Sequence, residues 1–247
     1  LPDWLPTSFN SEYKRSYKEI CNLCSHIIQN DLMKEESCSD DGEGTLIRKL
    51  RLSIKDSKLL RDQIINIFFG GHETTSHWMT MAVYHLETQG GLKEELREEL
   101  SSVVMGDISD ITRSQYPLLA SFTKEVLRFN SPIEMYGRDT KEDILLRSHK
   151  IPRGSLVIST QYASHRYNQS WTDPDVFKAK RFHPEYTHLF EKESRRHVRS
   201  YFPFGFGKRS CVGRFLADLE VKIFIMSYLS QNKLSFKLED LSPPERE

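Results

Sequence analysis

The sequence predicts a mainly α-helical fold with a small β-sheet, the α+β class. Apolar side chains recur at helical spacing over residues 57–88, a stretch longer than an ordinary surface helix. Between Arg138 and Trp171, short segments alternate apolar and polar residues around a turn at residues 151–154, which is typical of short strands. A third stretch, residues 211–230, again has helical periodicity. Helices are therefore predicted on both sides of a short region of strands.

The remaining elements are predicted from the same periodicities. A helix is predicted at residues 91–104. It is rich in Glu and Lys, so most of its surface is expected to be exposed to solvent. An acidic Ser/Gly loop is expected at residues 35–44. The other predicted helices lie at residues 11–34, 44–50 and about 119–130.

Composition narrows the range of functions. The 247 residues carry 35 basic and 35 acidic side chains with no basic tract, which argues against nucleic acid as a partner. The size fits one domain. No apolar run reaches the ~18 residues that span a bilayer, and residues 1–6 are neither a secretion signal nor an anchor.

Two of the four cysteines form a Cys-x-x-Cys pair, Cys21 and Cys24. A zinc site needs a second pair at matching spacing, which Cys38 with His26 does not provide. We interpret Cys21 and Cys24 as packing residues of the helix at 11–34, with a redox or zinc role as the open alternative. No feature of the sequence requires a disulfide, so the cysteine content is compatible with a reducing compartment.

The fourth cysteine, Cys211, lies in the run FPFGFGKRSCVGR at residues 202–214. The helix that begins near it offers unpaired N–H groups and the positive end of a dipole, which favour a thiolate. Gly205 and Gly207 allow tight turns, including positive φ, and Gly213 leaves room for a flat cofactor. A single thiolate without a His or Cys neighbour does not make a zinc or iron–sulfur site, but it suits the fifth ligand of a haem.

A second unusual segment lies inside the long helix, where Gly70 and Gly71 are followed by Glu73 and Thr74. Each glycine costs roughly 1 kcal/mol relative to alanine, and a buried acid costs more. A functional reason is therefore expected, because a threonine hydroxyl can open the helix for a water and an acid beside it can pass protons. The alternative is a break between two helices, with Glu73 capping the second.

Five residues of the cysteine run follow the pattern Phe-x-x-Gly-x-Arg-x-Cys-x-Gly: Phe204, Gly207, Arg209, Cys211 and Gly213. This pattern resembles the haem-binding loop of the cytochrome P450 superfamily. The resemblance implies haem b held through Cys211 as the axial iron ligand, with Arg209 paired to a haem propionate. Phe204 would cover the sulfur and exclude water.

Residues 70–75 resemble the oxygen-binding groove of the same superfamily. By this resemblance Thr74 positions molecular oxygen and Glu73 joins proton delivery, while His72 faces away from the haem. An arginine at the position of Arg138 commonly meets a haem propionate in the family. The alternative for Arg138 is a solvated arginine in a turn.

Glu125 and Arg128 lie three residues apart and therefore share one helix face. They resemble the Glu-x-x-Arg helix of the superfamily, whose third member here is Arg181. Ala179 stands where the family's adjoining segment has a proline, which makes that segment less stiff. The implied role of the trio is to hold the fold beneath the haem, because removing one member strands a buried charge.

The resemblance covers residues 1–247 as a partial P450 domain, the later half of a typical member. An N-terminal portion and the last hairpin are expected to be lacking. The implied localisation is the endoplasmic reticulum membrane if the source is eukaryotic, with attachment through a segment before residue 1, or the cytoplasm if it is bacterial.

The function implied is a haem-thiolate monooxygenase that inserts one oxygen atom from O2 into a small apolar substrate. Electrons would come from NADPH or NADH through a flavoprotein reductase or a ferredoxin-type donor. One alternative is a non-catalytic fragment with weak or no haem binding, and another is a reductase-independent isomerase or dehydratase. Five cations are candidates for a docking face, or alternatively an ordinary soluble surface: Arg195, Arg196, Arg199, Lys208 and Arg214.

Overall fold

The computed structural model describes residues 7–35, 45–101, 116–186 and 200–230. The chain divides into two compact units, residues 1–73 and residues 74–247. The predictions for Cys38 and for Arg195, Arg196 and Arg199 lie outside the described residues.

The first unit is helical over its described residues. It contains α1 (Ser8–Glu35), α2 (Leu46–Ser53) and the first half of α3 (Ser57–Thr88). Thr45 caps α2, because its hydroxyl accepts from the Arg48 amide at 3.2 Å. Cys24 is buried in α1 as a free thiol, as the packing interpretation expects, and burial raises its pKa.

Helix α3 runs unbroken from Ser57 to Thr88, at the predicted bounds. The alternative of two helices separated at Gly70 and Gly71 is therefore wrong. The helix tolerates the two glycines because about thirty other residues complete its hydrogen-bond ladder.

The core of the second unit forms where the later half of α3 packs with α4 (Leu92–Leu100), α5 (Pro117–Phe129) and α7 (Arg214–Ser230). Each helix contributes apolar residues three or four apart, which place one stripe toward its neighbours. The most buried of these are Trp78, Ala82, Leu86, Leu96, Leu119, Phe122, Val126, Val221 and Ile225. This core fixes the two helices that flank the cysteine loop, α5 and α7.

The strands form two separate antiparallel pairs among the described residues. Strand β1 (Met135–Asp139) pairs with β4 (Leu156–Thr160), with Arg138 opposite Val157. The hairpin between them pairs β2 (Ile144–Leu146) with β3 (His149–Ile151). Helix α6 (Gln161–His165) follows β4 directly.

Several helix boundaries differ from those predicted. Helices α1 (Ser8–Glu35), α2 (Leu46–Ser53) and α5 (Pro117–Phe129) were predicted at residues 11–34, 44–50 and about 119–130. Helix α7 begins at Arg214, three residues after the predicted start, because the loop continues through Gly213. Helix α4 ends at Leu100, where residues up to 104 were predicted. Among the described helices, none has both the length and the apolar character that crossing a membrane requires.

The N-terminus of α5 is capped by a side chain from another helix. Tyr116 offers no side-chain cap, and Glu99 of α4 instead accepts from the Leu118 and Leu119 amides at 2.7 and 2.9 Å. A carboxylate at this end also meets the positive end of the helix dipole. Glu99 therefore ties α4 to the helix that carries Glu125 and Arg128.

We expect Glu99→Ala to lower the free energy of unfolding by about 1–2 kcal/mol, the usual cost of losing a cap. Urea unfolding followed by circular dichroism measures this loss. Glu98→Ala is the matched control, since Glu98 is exposed on the same turn, and it is expected to change stability by less than about 0.5 kcal/mol. Equal effects of the two substitutions would contradict the capping role.

Candidate functional site

The cysteine loop, residues 202–214, is held in shape by its own backbone. The Gly205 amide donates to the Phe202 carbonyl at 2.9 Å, and the Cys211 amide donates to the Phe204 carbonyl at 2.9 Å. Gly205 and Gly207 have φ of 71° and 66°, so the predicted use of positive φ is confirmed. Side chains at these two positions would strain the turn that returns Cys211 to Phe204.

Cys211 presents an exposed free thiol at the N-terminal end of α7. A Cβ added at Gly213 would lie 3.9 Å from the Cys211 Sγ, and no described atom beyond the adjacent residues would crowd it. The Gly213 carbonyl accepts from the Ala217 amide at 2.9 Å, which starts the helix. The sulfur is therefore next to a glycine and the open first turn of a helix.

Phe204 anchors the loop to the helical core. Its ring lies edge-on to that of Trp78 at 6.0 Å between centroids, and the Trp78 indole N–H donates to the Thr123 carbonyl at 3.1 Å. Together these contacts join the loop to α3 and α5. A cleft of about 380 Å³ opens beside Phe204, with Leu127 and Phe215 in its lining.

Two of the predicted cations are exposed and have no carboxylate partner within the described part of the chain. Arg209 makes no hydrogen bond or ion pair with any residue that the structure describes. Arg138 lies on β1, donates to the Gly137 carbonyl at 2.8 Å and stacks over the Tyr136 ring at 5.0 Å. Both guanidinium groups therefore have donors left for an added anion.

Glu125 on α5 accepts hydrogen bonds from two buried arginines. Arg128 donates through Nε and Nη2 at 2.8 and 2.9 Å to the two carboxylate oxygens. Arg181 Nε lies 3.0 Å from each oxygen, and the Lys178 amide adds a bond of 2.9 Å. The exposed fractions of Glu125, Arg128 and Arg181 are 0%, 0% and 2%. The structure therefore brings the three residues together: spacing predicted the pairing of Glu125 with Arg128, and the family resemblance implied Arg181 as the third member.

The excess positive charge of this trio is balanced by carbonyl oxygens. Arg128 Nη1 donates to the carbonyls of His165 and Pro174, both at 2.8 Å. Arg181 donates to the Thr172 carbonyl at 2.7 Å and to two further carbonyls. Both guanidinium groups also lie over Trp171. The arginines therefore bind the irregular chain at residues 165–181 to α5.

The predicted proton-delivery residues lie at the boundary of the two units. Glu73 belongs to the first unit and Thr74 to the second, which also contains Cys211. Thr74 is half-buried, but Glu73 is exposed, so the expected burial of this acid is wrong. The next residue, Thr75, is the buried one, because its side chain lies one position further round the helix. His72 is exposed and stacks on Phe68 one turn away.

Sequence reasoning missed two residues that hold the region together. The Ser121 hydroxyl donates to the Ala179 carbonyl at 2.6 Å and accepts from the Phe182 amide at 2.9 Å. His165 is fully buried and accepts from the Phe202 amide at 3.1 Å. Neither belongs to a spaced motif, so no pattern in the sequence points to them.

Comparison with known proteins decides the family. The family model for cytochrome P450 matches residues 1–247. The chain belongs to the cytochrome P450 family. Rat cytochrome P450 4V2 is 26% identical over 243 residues, which cover 89% of this chain and 45% of that protein. Human cytochrome P450 4A11 is 31% identical over 175 residues, covering 69% and 32% of the two chains.

A solved P450 structure has the same fold. The cyanobacterial CYP120A1 with bound retinoic acid superposes with a TM-score of 0.76 at 23% identity, covering 94% of this chain and 52% of that one. The predicted α+β P450 fold is thereby confirmed. The chain spans about half the length of these P450 relatives, or less.

The P450 family implies haem, and the residues present fit that group. Cys211 offers one exposed sulfur with a glycine rather than a side chain beside it. Arg138 and Arg209 are exposed cations without carboxylate partners among the described residues, which suits the two propionates of a haem. A lone thiolate is also the donor set of P450 haem rather than of zinc.

Proposed function

We propose that this chain is the haem-thiolate part of a monooxygenase that inserts one oxygen atom from O2 into a small apolar substrate. The observation that carries the proposal is the exposed Cys211 thiol at the start of α7, beside Gly213. Cys211 would ligate the iron, and Arg209 and Arg138 would pair with the propionates through charge-assisted hydrogen bonds. When bound, haem supplies the activation of O2 that no side chain can provide.

The rest of the loop protects the sulfur. Phe204, fixed on Trp78, excludes water from one side of the ligand. Gly207 supplies the left-handed turn that brings Cys211 back to Phe204. The trio of Glu125, Arg128 and Arg181 has a structural role, because its charged groups are buried and hydrogen-bond to one another and to the backbone.

Glu73 and Thr74 handle protons. The half-buried Thr74 hydroxyl holds a proton or a water at the reaction side, and Glu73, which is exposed, exchanges protons with solvent. A carboxylate in contact with water can take up a new proton from solvent after each turnover. The exposure of Glu73 therefore suits an entry point for protons.

Electrons come from NADPH or NADH through a flavoprotein reductase or a ferredoxin-type donor. Lys208 is exposed on the cysteine loop, and Arg214 is exposed as the first residue of α7. Exposed cations next to the ligand attract an acidic electron donor. Their attraction to the donor is expected to weaken as ionic strength rises.

The test of the proposal is the absorption spectrum of the 247-residue chain after incubation with haem, reduction and carbon monoxide. We expect a Soret band strongly red-shifted from that of histidine-ligated haem, because the iron would be held by the anionic sulfur of Cys211. No haem band, or a band at the histidine position, would contradict the proposal. Substrate turnover with NADPH and a reductase then separates the monooxygenase from an isomerase or dehydratase.

We expect Thr74→Ala to lower product formation about 10²-fold, the usual contribution of a positioned proton-transfer group, and to leave the haem spectrum unchanged. Product yield per NADPH consumed measures the effect. Thr80→Ala is the control on the same helix, since the Thr80 hydroxyl is exposed and bonds back to the Ser76 carbonyl at 2.8 Å. Equal product yields from both variants would remove Thr74 from the mechanism.

A further inference from the structure

The cysteine loop is tied at its first residue to a buried histidine. Phe202 is buried, and its amide donates to His165 Nε2 at 3.1 Å. The Phe202 carbonyl in turn accepts from Gly205, the first left-handed glycine of the loop. The position of this one amide therefore sets where the turn toward Cys211 begins.

His165 also connects the loop to the buried arginines. Its carbonyl accepts from Arg128 Nη1 at 2.8 Å, and Arg128 is itself fixed by Glu125. The imidazole packs against the rings of Tyr201 and Phe202, with centroids 5.4 and 5.6 Å away. A continuous path of short contacts thus runs from α5 through His165 to the loop.

The hydrogen bond to Phe202 fixes the protonation state of His165. Since Nε2 accepts, the ring must be neutral with its hydrogen on Nδ1. Nδ1 is buried without a hydrogen-bond partner among the residues described. A second proton, on Nε2, would set two N–H groups against each other and break the bond.

The charges around the ring also favour the neutral form. The charged or titratable groups facing it are Arg128 of α5, Arg166 after α6 and Tyr201 of the preceding loop segment, with Glu125 beyond Arg128. Burial first, and then the positive charges of Arg128 and Arg166, lower the pKa of His165 to about 4.

We propose that His165 is a positioning residue: its neutral ring, through Nε2, holds the Phe202 amide and thereby the loop that presents Cys211. The inference deepens the proposed function, on which it rests, by naming the group that sets the loop. It predicts that protonating His165 releases the loop. Because its pKa is lowered from about 6.5, this support is complete above pH 6.5 and is lost as the pH falls toward 4.

The first test uses the chain without haem. In ¹⁵N-labelled protein, NMR is expected to find His165 as the Nδ1–H tautomer with a titration midpoint well below 6.5. His165→Leu is expected to speed hydrogen exchange of the Phe202 amide about 10- to 100-fold, the effect of a lost hydrogen bond to a buried donor. His165→Gln, whose Oε1 can accept in place of Nε2, should restore most of the protection.

His85→Leu is the matched control. His85 is also a buried histidine with an unpartnered Nδ1 and a pKa lowered chiefly by burial, but its Nε2 bonds to Asn130 rather than to the loop. We expect no selective change at Phe202. Finding the Nε2–H tautomer in the wild type would overturn the proposal even if no variant folds. Equal hydrogen-exchange rates of the Phe202 amide in His165→Leu and in the wild type would overturn it as well.

The second test uses the haem-loaded chain. As the pH is lowered, the red-shifted ferrous–carbonyl band is expected to disappear. The midpoint of this loss should lie at higher pH in the wild type than in His165→Gln, because the glutamine amide does not titrate. Identical acid midpoints would count against His165. Absence of the red-shifted band at every pH would instead refute the proposed function, and the exchange and tautomer results would still stand by themselves.

Discussion

Replacing Cys211 with serine is expected to abolish the red-shifted ferrous–carbonyl band completely. Serine has nearly the shape of cysteine, but its hydroxyl is a far weaker acid than a thiol and does not supply the anionic sulfur that a metal binds. Because the Cys211 side chain is exposed, stability should change by less than about 0.5 kcal/mol. The loss would therefore report on ligation and not on folding.

The measurement is the absorption spectrum of the reduced chain under carbon monoxide, together with haem uptake by titration. Cys21→Ser is the control, because Cys21 is another free thiol that is not fully buried and lies in the first unit. It is expected to keep both the band and the haem. Unchanged haem uptake and an unchanged spectrum in Cys211→Ser would end the case for a thiolate ligand at this position.

Glu125→Ala is expected to lower the free energy of unfolding by about 3–5 kcal/mol, because it leaves Arg128 and Arg181 buried without their anion. This is a large part of the 5–15 kcal/mol that stabilises an ordinary domain. Glu125→Gln keeps the side-chain shape, and we expect it to cost nearly as much because the charge and one acceptor oxygen are gone. The two variants together separate charge from packing.

The structure offers a closely matched control for this experiment. Glu94 and Arg97 have the same spacing on α4 and form an ion pair of 3.6 Å, but the Glu94 side chain is 70% exposed. Glu94→Ala should therefore change stability by only a few tenths of a kcal/mol. If urea unfolding gave Glu125→Ala and Glu94→Ala similar losses, the assigned role of the buried trio would be wrong.

The accuracy of the predictions made from the sequence depended on the kind of pattern used. The helix at Ser57–Thr88 was predictable because its apolar repeat is long and regular. The start of α7 was predicted three residues too early, because the apolar periodicity of a helix does not show where a preceding glycine loop ends. The exposure of Glu73 was also missed, since a residue's rotation around a helix depends on which neighbours pack there.

Spacing in the sequence by itself determined which residues are candidates for the site: one cysteine among fixed glycines and arginines, and an acid three residues from an arginine. Local geometry follows directly from separation along the chain. Only the tertiary structure decided which distant groups complete it. Glu99 caps α5 across 19 residues, and His165 holds Phe202 across 37 residues. Such contacts depend on how helices and loops pack, and burial in a shared core rather than any local pattern gives them their strength.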